Sequence, residues 1–186
     1  YREKHEGPGG EFTVTNTGPA TIFVNMTTAG VPEKPDTDGY AEDISITRRY
    51  FTGQGEVYDP ETGFLQSDSY VVELTVTPKQ LAENVVVVDK LPAGFEIENP
   101  RLNAETLPPG KFKEVTNPSY VDVRDDRIVL AFNALRKKQE GHRYYYVVRA
   151  VTPGAYQAPS ATAECMYDAS IRAASPMGRM EVKSRQ

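Results

Sequence analysis

Hydrophobic and polar positions along this chain alternate far more often than they recur at helical spacing. In YVVELTV, Tyr70, Val72, Leu74 and Val76 alternate with Val71, Glu73 and Thr75, the period of two expected of a strand with one buried face. In YVDVRDDRIVLAF two β-rich runs flank Asp125-Asp126, and acidic residues tolerate the tight turn of a short hairpin, so 120–132 is predicted as one. The run RYYYVVRAV, 143–151, is aromatic and β-branched on both faces, which predicts a strand in the interior of a sheet. Further strands are expected at 11–16, 20–28, 44–51, 84–89, 161–166 and 178–183.

Turn residues punctuate these runs at Asn16-Thr17-Gly18-Pro19, Gly53-Gln54-Gly55, Pro92-Ala93-Gly94, Pro108-Pro109-Gly110 and Pro153-Gly154. Many short strands so spaced predict an all-β, antiparallel β-sandwich of the Ig-like or fibronectin-like kind. Helix is expected for at most one or two short turns, PKQLAEN at 78–84 and NALRKKQEG at 133–141. The polar connection GVPEKPDTDGYAED, 30–43, reads as a boundary. It would divide terminal strands and linker, 1–41, from the main sandwich, 42–186. The proline-rich stretch 98–119 reads as a long loop over the sandwich.

Composition narrows the function. The formal net charge is −5, which argues against a phosphate backbone as partner, because nucleic-acid binders gather Lys and Arg on one face. No apolar run approaches the roughly 20 residues that span a bilayer; the longest aliphatic block is VVVV, 85–88. The chain therefore reads as soluble, with no direct membrane insertion. It starts at Tyr1 without a signal pattern, as a processed form or an excised piece would.

Candidate chemistry is sparse. His5 sits in a polar N-terminal stretch and His142 in the polar turn KKQEGH, so each reads as a solvated histidine and not as a held general base. Two isolated histidines and one cysteine give no zinc-ligand spacing. The acidic groups Asp36-Thr37-Asp38 and Asp122 to Asp126 lack the alternating ligand pattern of a calcium loop and read as turns. No metal and no cofactor is expected, nor a catalytic residue. Cys165 is the one cysteine. Its neighbours Glu164 and Asp168 raise a thiol pKa, and in the alternating run ATAECM it shares a face with Ala161 and Ala163, as a small buried hydrophobe would.

Three stretches, VDKLPAGFEIENPRL (88–102), YVDVRDDRIVLAF (120–132) and YYYVVRAVTPGAYQAPSATAECMYDASIRA (144–173), resemble the C-terminal macroglobulin-like domain of bacterial alpha-2-macroglobulins. ISITRRYF (44–51) resembles that domain's first strand, and NTGPATIFVNMTTAGVP (16–32) the strands just before it. The resemblance implies a non-catalytic module of a broad-spectrum protease trap, periplasmic and tethered to the membrane as a lipoprotein. In that family bait cleavage exposes a strained internal thioester that captures the attacking protease.

A thioester of this type joins a cysteine to a glutamine three residues on, in a Cys-x-Glu-Gln pattern. Here Cys165-Met166-Tyr167-Asp168 departs from it, so the thioester is expected in another part of the polypeptide. The resemblance implies that Met166 and Tyr167 pack over it and keep water away until activation. The implied partners are the thioester domain, neighbouring macroglobulin-like domains of the same polypeptide and, in the intact protein, target proteases. Three other readings stay open at this point, one of them a small hydrolase that would need His142 brought beside Cys165. Met166 and Tyr167 could close the edge of this domain's own core, and the chain could be an Ig-like structural or adhesive repeat of a bacterial surface protein, which carries similar Leu-Pro-Ala-Gly turns.

Overall fold

The computed structural model describes residues 13–27, 37–98, 112 and 114–185. Contacts divide the chain into two compact units, Tyr1–Pro35 and Asp36–Gln186. In the first, residues 13–27 form no strand, which corrects the expectation for 11–16 and 20–28 over their described parts. Val14, Ile22, Phe23, Val24 and Met26 are all exposed. Alternation alone does not make a strand; it needs a partner for its backbone and a surface for its apolar face. The local order that exists is a turn in which Asn16 Oδ1 accepts from the Gly18 amide and Asn16 Nδ2 donates to the Ala20 carbonyl.

Among its described residues the second unit contains fourteen strands. They are β1 (Tyr40–Glu42), β2 (Ile44–Thr52), β3 (Val57–Tyr58), β4 (Phe64–Leu65), β5 (Ser69–Pro78), β6 (Ala82–Lys90) and β7 (Phe95–Ile97). They continue with β8 (Tyr120–Arg124), β9 (Arg127–Leu135), β10 (His142–Ala150), β11 (Gly154–Ala158), β12 (Ala161–Cys165), β13 (Asp168–Ala174) and β14 (Gly178–Lys183). A six-stranded sheet runs β1-β13-β12-β6-β9-β8 and a five-stranded sheet β3-β2-β5-β10-β7, with a small sheet β11-β14-β4 beside them. Among the described strands every pairing is antiparallel except β14 with β4. This is the expected β-sandwich, and several short strands join those the alternation predicted; among them β1 joins β13 ahead of ISITRRYF, which is therefore the second strand.

Burial follows the alternation. Tyr70, Val72, Leu74 and Val76 enter one core with Ile44, Ile46, Val85, Val87, Ile128 and Leu130. Phe64, fully buried, sits among Tyr50, Tyr58, Tyr70 and Phe95 with ring centroids 4.7 to 5.5 Å away, mostly in the edge-to-face geometry that aromatic quadrupoles favour. β10 lies between β5 and β7. Its two apolar faces have separate uses: Tyr146 and Val148 enter the main core, whereas Tyr145, Val147 and Val71 form a second cluster under Phe51 and Phe112. Of the expected loop 98–119, residues 99–111 and 113 lie outside the described residues, and Thr116 hydrogen-bonds the Arg143 carbonyl of β10.

The two expected helical turns are absent. Ala82 and Leu135, one from each segment, are fully buried and face each other across β6 and β9, and burying that pair extends both strands through positions whose polar composition suggested helix. The single helical turn among the described residues is 3-10, Pro60–Thr62, with Asp59 Oδ1 accepting the Glu61 amide. The hairpin turn is as expected, since Arg124 pairs with Arg127 around Asp125-Asp126.

Candidate functional site

The stretch that follows Ala161 folds into the β12–β13 hairpin. Ala161, Ala163 and Cys165 are buried and Glu164 is exposed, so the alternation places the thiol inward as expected. Cys165 pairs with Asp168, which leaves Met166-Tyr167 as a two-residue turn. On the β13 side pairing then jumps from Asp168 to Arg172, a bulge spanning Ala169 to Ile171. Asp168 organises the bulge, because its Oδ1 accepts both the Ser170 amide, at 3.0 Å, and the Ser170 hydroxyl, at 2.6 Å. These bonds, the side-chain one first, hold the Asp168 carboxyl below its ordinary range.

The turn is also held from the side. The Met166 amide donates to the Asn84 carbonyl at 3.0 Å. Burial, with the Asp168 charge second, pushes the Cys165 thiol pKa up. Its thiolate is therefore scarce at neutral pH, and a nucleophilic role has no support in the geometry.

Met166 is 62% and Tyr167 84% exposed. They do not close the domain's own core, which overturns that alternative. A thioether and a phenol project from a turn whose base is fixed by Cys165, Asp168 and Asn84. The structure does not pair His142 with Cys165. His142 belongs to the five-stranded sheet and Cys165 to the six-stranded one, and the His142 ring nitrogens are engaged by the Arg136 carbonyl at 2.7 Å and the Thr116 hydroxyl at 3.3 Å. His5 lies outside the described residues. Asp122 and Asp126 pair with Arg124 and Arg127, and Asp36 lies outside the described residues.

The other dense polar cluster is structural. Arg48 Nη1 meets Asp89 Oδ1 at 2.6 Å and Arg48 Nη2 the Pro159 carbonyl at 2.8 Å, while the Tyr146 hydroxyl donates to Asp89 Oδ2 at 2.6 Å. Burial works against the Arg48 charge, but Asp89, Tyr50 and Tyr146 beside it together more than offset this and keep the guanidinium protonated. Arg48 also lines an open groove of about 350 Å³ with Tyr50, Pro176 and Met180. Sequence reasoning missed Asn84 and Ser170. For Asn84 the available signal is an asparagine inside a β-rich run, since Asn enters left-handed backbone more readily than most residues.

Residues 44–169 match the bacterial alpha-2-macroglobulin MG10 domain. The chain belongs to this family. The match begins at β2 and includes the Met166-Tyr167 turn, and it takes the Leu91-Pro92-Ala93-Gly94 turn into a macroglobulin domain instead of an adhesive repeat. Among curated relatives, alpha-2-macroglobulin of Xylella fastidiosa (strain Temecula1) is 26% identical over 164 residues, covering 83% of this chain and 10% of the relative. That of Escherichia coli K12 is 28% identical with the same coverage. The MG10 chain thus spans about a tenth of the length of these relatives.

Solved structures agree. Escherichia coli alpha-2-macroglobulin activated by porcine elastase superposes with a TM-score of 0.73 at 28% identity, over 83% of this chain and 14% of that one. The native Escherichia coli protein from domain MG7 to its C-terminus superposes with a TM-score of 0.70 at 27% identity, over 83% of this chain and 25% of that one.

Proposed function

We propose that this MG10 domain is a non-catalytic C-terminal module of a protease-trapping alpha-2-macroglobulin, that it packs on the thioester domain, and that Met166 and Tyr167 shield the thioester until bait cleavage. The observation that supports it best is the exposure of Met166 and Tyr167 on a turn held at three points. An exposed thioether and aromatic ring are expensive to leave in water and well suited to a partner surface. They exclude water from an acyl thioester without offering a competing nucleophile, because a tyrosine phenol stays protonated near neutral pH. Solved relatives fit a trap of this kind. The Escherichia coli protein is activated by trypsin and by porcine elastase, and the Salmonella protein reacts with methylamine, a small amine nucleophile.

In this reading the partners are the thioester domain, the adjoining macroglobulin-like domains of the same polypeptide and the trapped protease. The intact protein is placed in the periplasm as a membrane-tethered lipoprotein. The test is made in the intact protein. Met166→Ala with Tyr167→Ala is expected to accelerate methylamine-independent loss of the thioester, followed as free thiol released over time. Release at the parental rate would sink the shielding role. The 186-residue chain alone is expected to inhibit no protease, and stoichiometric inhibition by it would contradict the division of labour.

A further inference from the structure

We infer that Asn84 is the positioning residue of the Met166-Tyr167 tip. The role rests on the shielding function proposed above and adds to it the device that aims the tip. Asn84 is in left-handed backbone, φ 51°, inside β6. The β6–β9 register passes from Glu83 opposite Ala134 to Val85 opposite Phe132 without pairing Asn84. On its other edge β6 pairs with β12 as far as Val85 opposite Cys165. The next contact in that direction is the Met166 amide donating to the Asn84 carbonyl at 3.0 Å.

The left-handed residue thus interrupts the β9 ladder by one pair and, on the β12 side, hands β6 to the base of the turn. Without that bond the two-residue turn would be fixed at Cys165–Asp168 alone, next to a bulge in which Ala169 to Ile171 have no partner on β12. Asn and Gly take positive φ at little cost, whereas a β-branched residue does so only under strain. Asn84 is solvent-exposed, so its replacement removes no core packing. Its importance lies in its backbone conformation.

The first experiment follows amide hydrogen exchange by NMR in the 186-residue chain. Asn84→Val is expected to speed exchange at Met166 by roughly tenfold or more, the scale of one lost backbone bond of about 1.4 kcal/mol. The Ser175 amide, bonded to the Ala161 carbonyl at the far end of the same hairpin, should keep its protection. Asn84→Gly is expected to retain parental protection, and Asn84→Ala gives the same comparison with a milder strain. Parental exchange at Met166 in the Val and Ala variants, or loss of protection in the Gly variant, would overturn the positioning role. In the intact protein, once Met166→Ala with Tyr167→Ala is seen to speed thiol release, the Val variant should release thiol faster than the Gly variant, and equal rates would then overturn the positioning role. If Met166→Ala with Tyr167→Ala leaves thiol release unchanged while Met166 exchange responds as expected, the shielding function fails and the anchor stands.

Discussion

Cys165 owes its chemistry to the side of a strand on which it falls. Buried with Ala161 and Ala163, and with Asp168 paired opposite, its thiol is pushed up in pKa by burial first and by that carboxylate second. Iodoacetamide at mildly alkaline pH is therefore expected to alkylate the folded chain roughly tenfold or more slowly than the chain in denaturant, since both thiolate fraction and access fall. Equal rates would place the thiol in solvent. Asp168 shifts the opposite way. Its carboxyl is lowered by the Ser170 hydroxyl and then by the Ser170 amide, so its tie to the bulge is fully present above the ordinary aspartate pKa and is lost as pH falls through the lowered one. Ser170→Ala is expected to move the Asp168 titration, read from its carboxyl carbon shift, upward toward the ordinary value; an unmoved titration would assign the lowering to the backbone bond.

Among elements, strands with strong alternation were legible and pieces defined by pairing were not. β5, β9 and β10 follow from YVVELTV, RIVLAF and RYYYVV, because each side chain's face is set by parity within its own strand. β13 escapes the pattern, since its bulge breaks the period after Asp168. Polar composition at 78–84 and 133–141 suggested helix, but the Ala82–Leu135 pair decided otherwise. The tip residues were legible through the family resemblance, whereas Asn84 acts through backbone shape, which composition does not display. Gly141, in the same β9–β10 connection, has φ 71°, and a Cβ there would lie 2.5 Å from Thr75 Cγ2. Gly141→Ala is expected to lower the unfolding free energy by about 1–2 kcal/mol from the left-handed backbone alone, with the clash added. A parental midpoint in urea would show that the loop adapts.

For the whole sandwich, the question is what fixes one sheet over the other once apolar burial has brought them together. Arg48 on β2 and Tyr146 on β10 belong to the five-stranded sheet, and Asp89 on β6 to the six-stranded one. Asp89 is fully buried, and the Arg48 side chain is 8% exposed. Apolar contacts tolerate sliding, whereas a carboxylate shared between a guanidinium and a phenol accepts only a narrow range of positions. Removing one partner leaves an uncompensated charge in the core, so Asp89→Ala is expected to lower stability by about 3–5 kcal/mol, measured by urea unfolding. Replacing the group together, Arg48→Met with Asp89→Leu and Tyr146→Phe, removes every charge and should cost less than the single change, because only the Pro159 carbonyl then loses its donor. A triple variant less stable than Asp89→Ala would mean that the attraction within the cluster outweighs its desolvation, and the network would then be a net source of stability in addition to fixing the register of the two sheets.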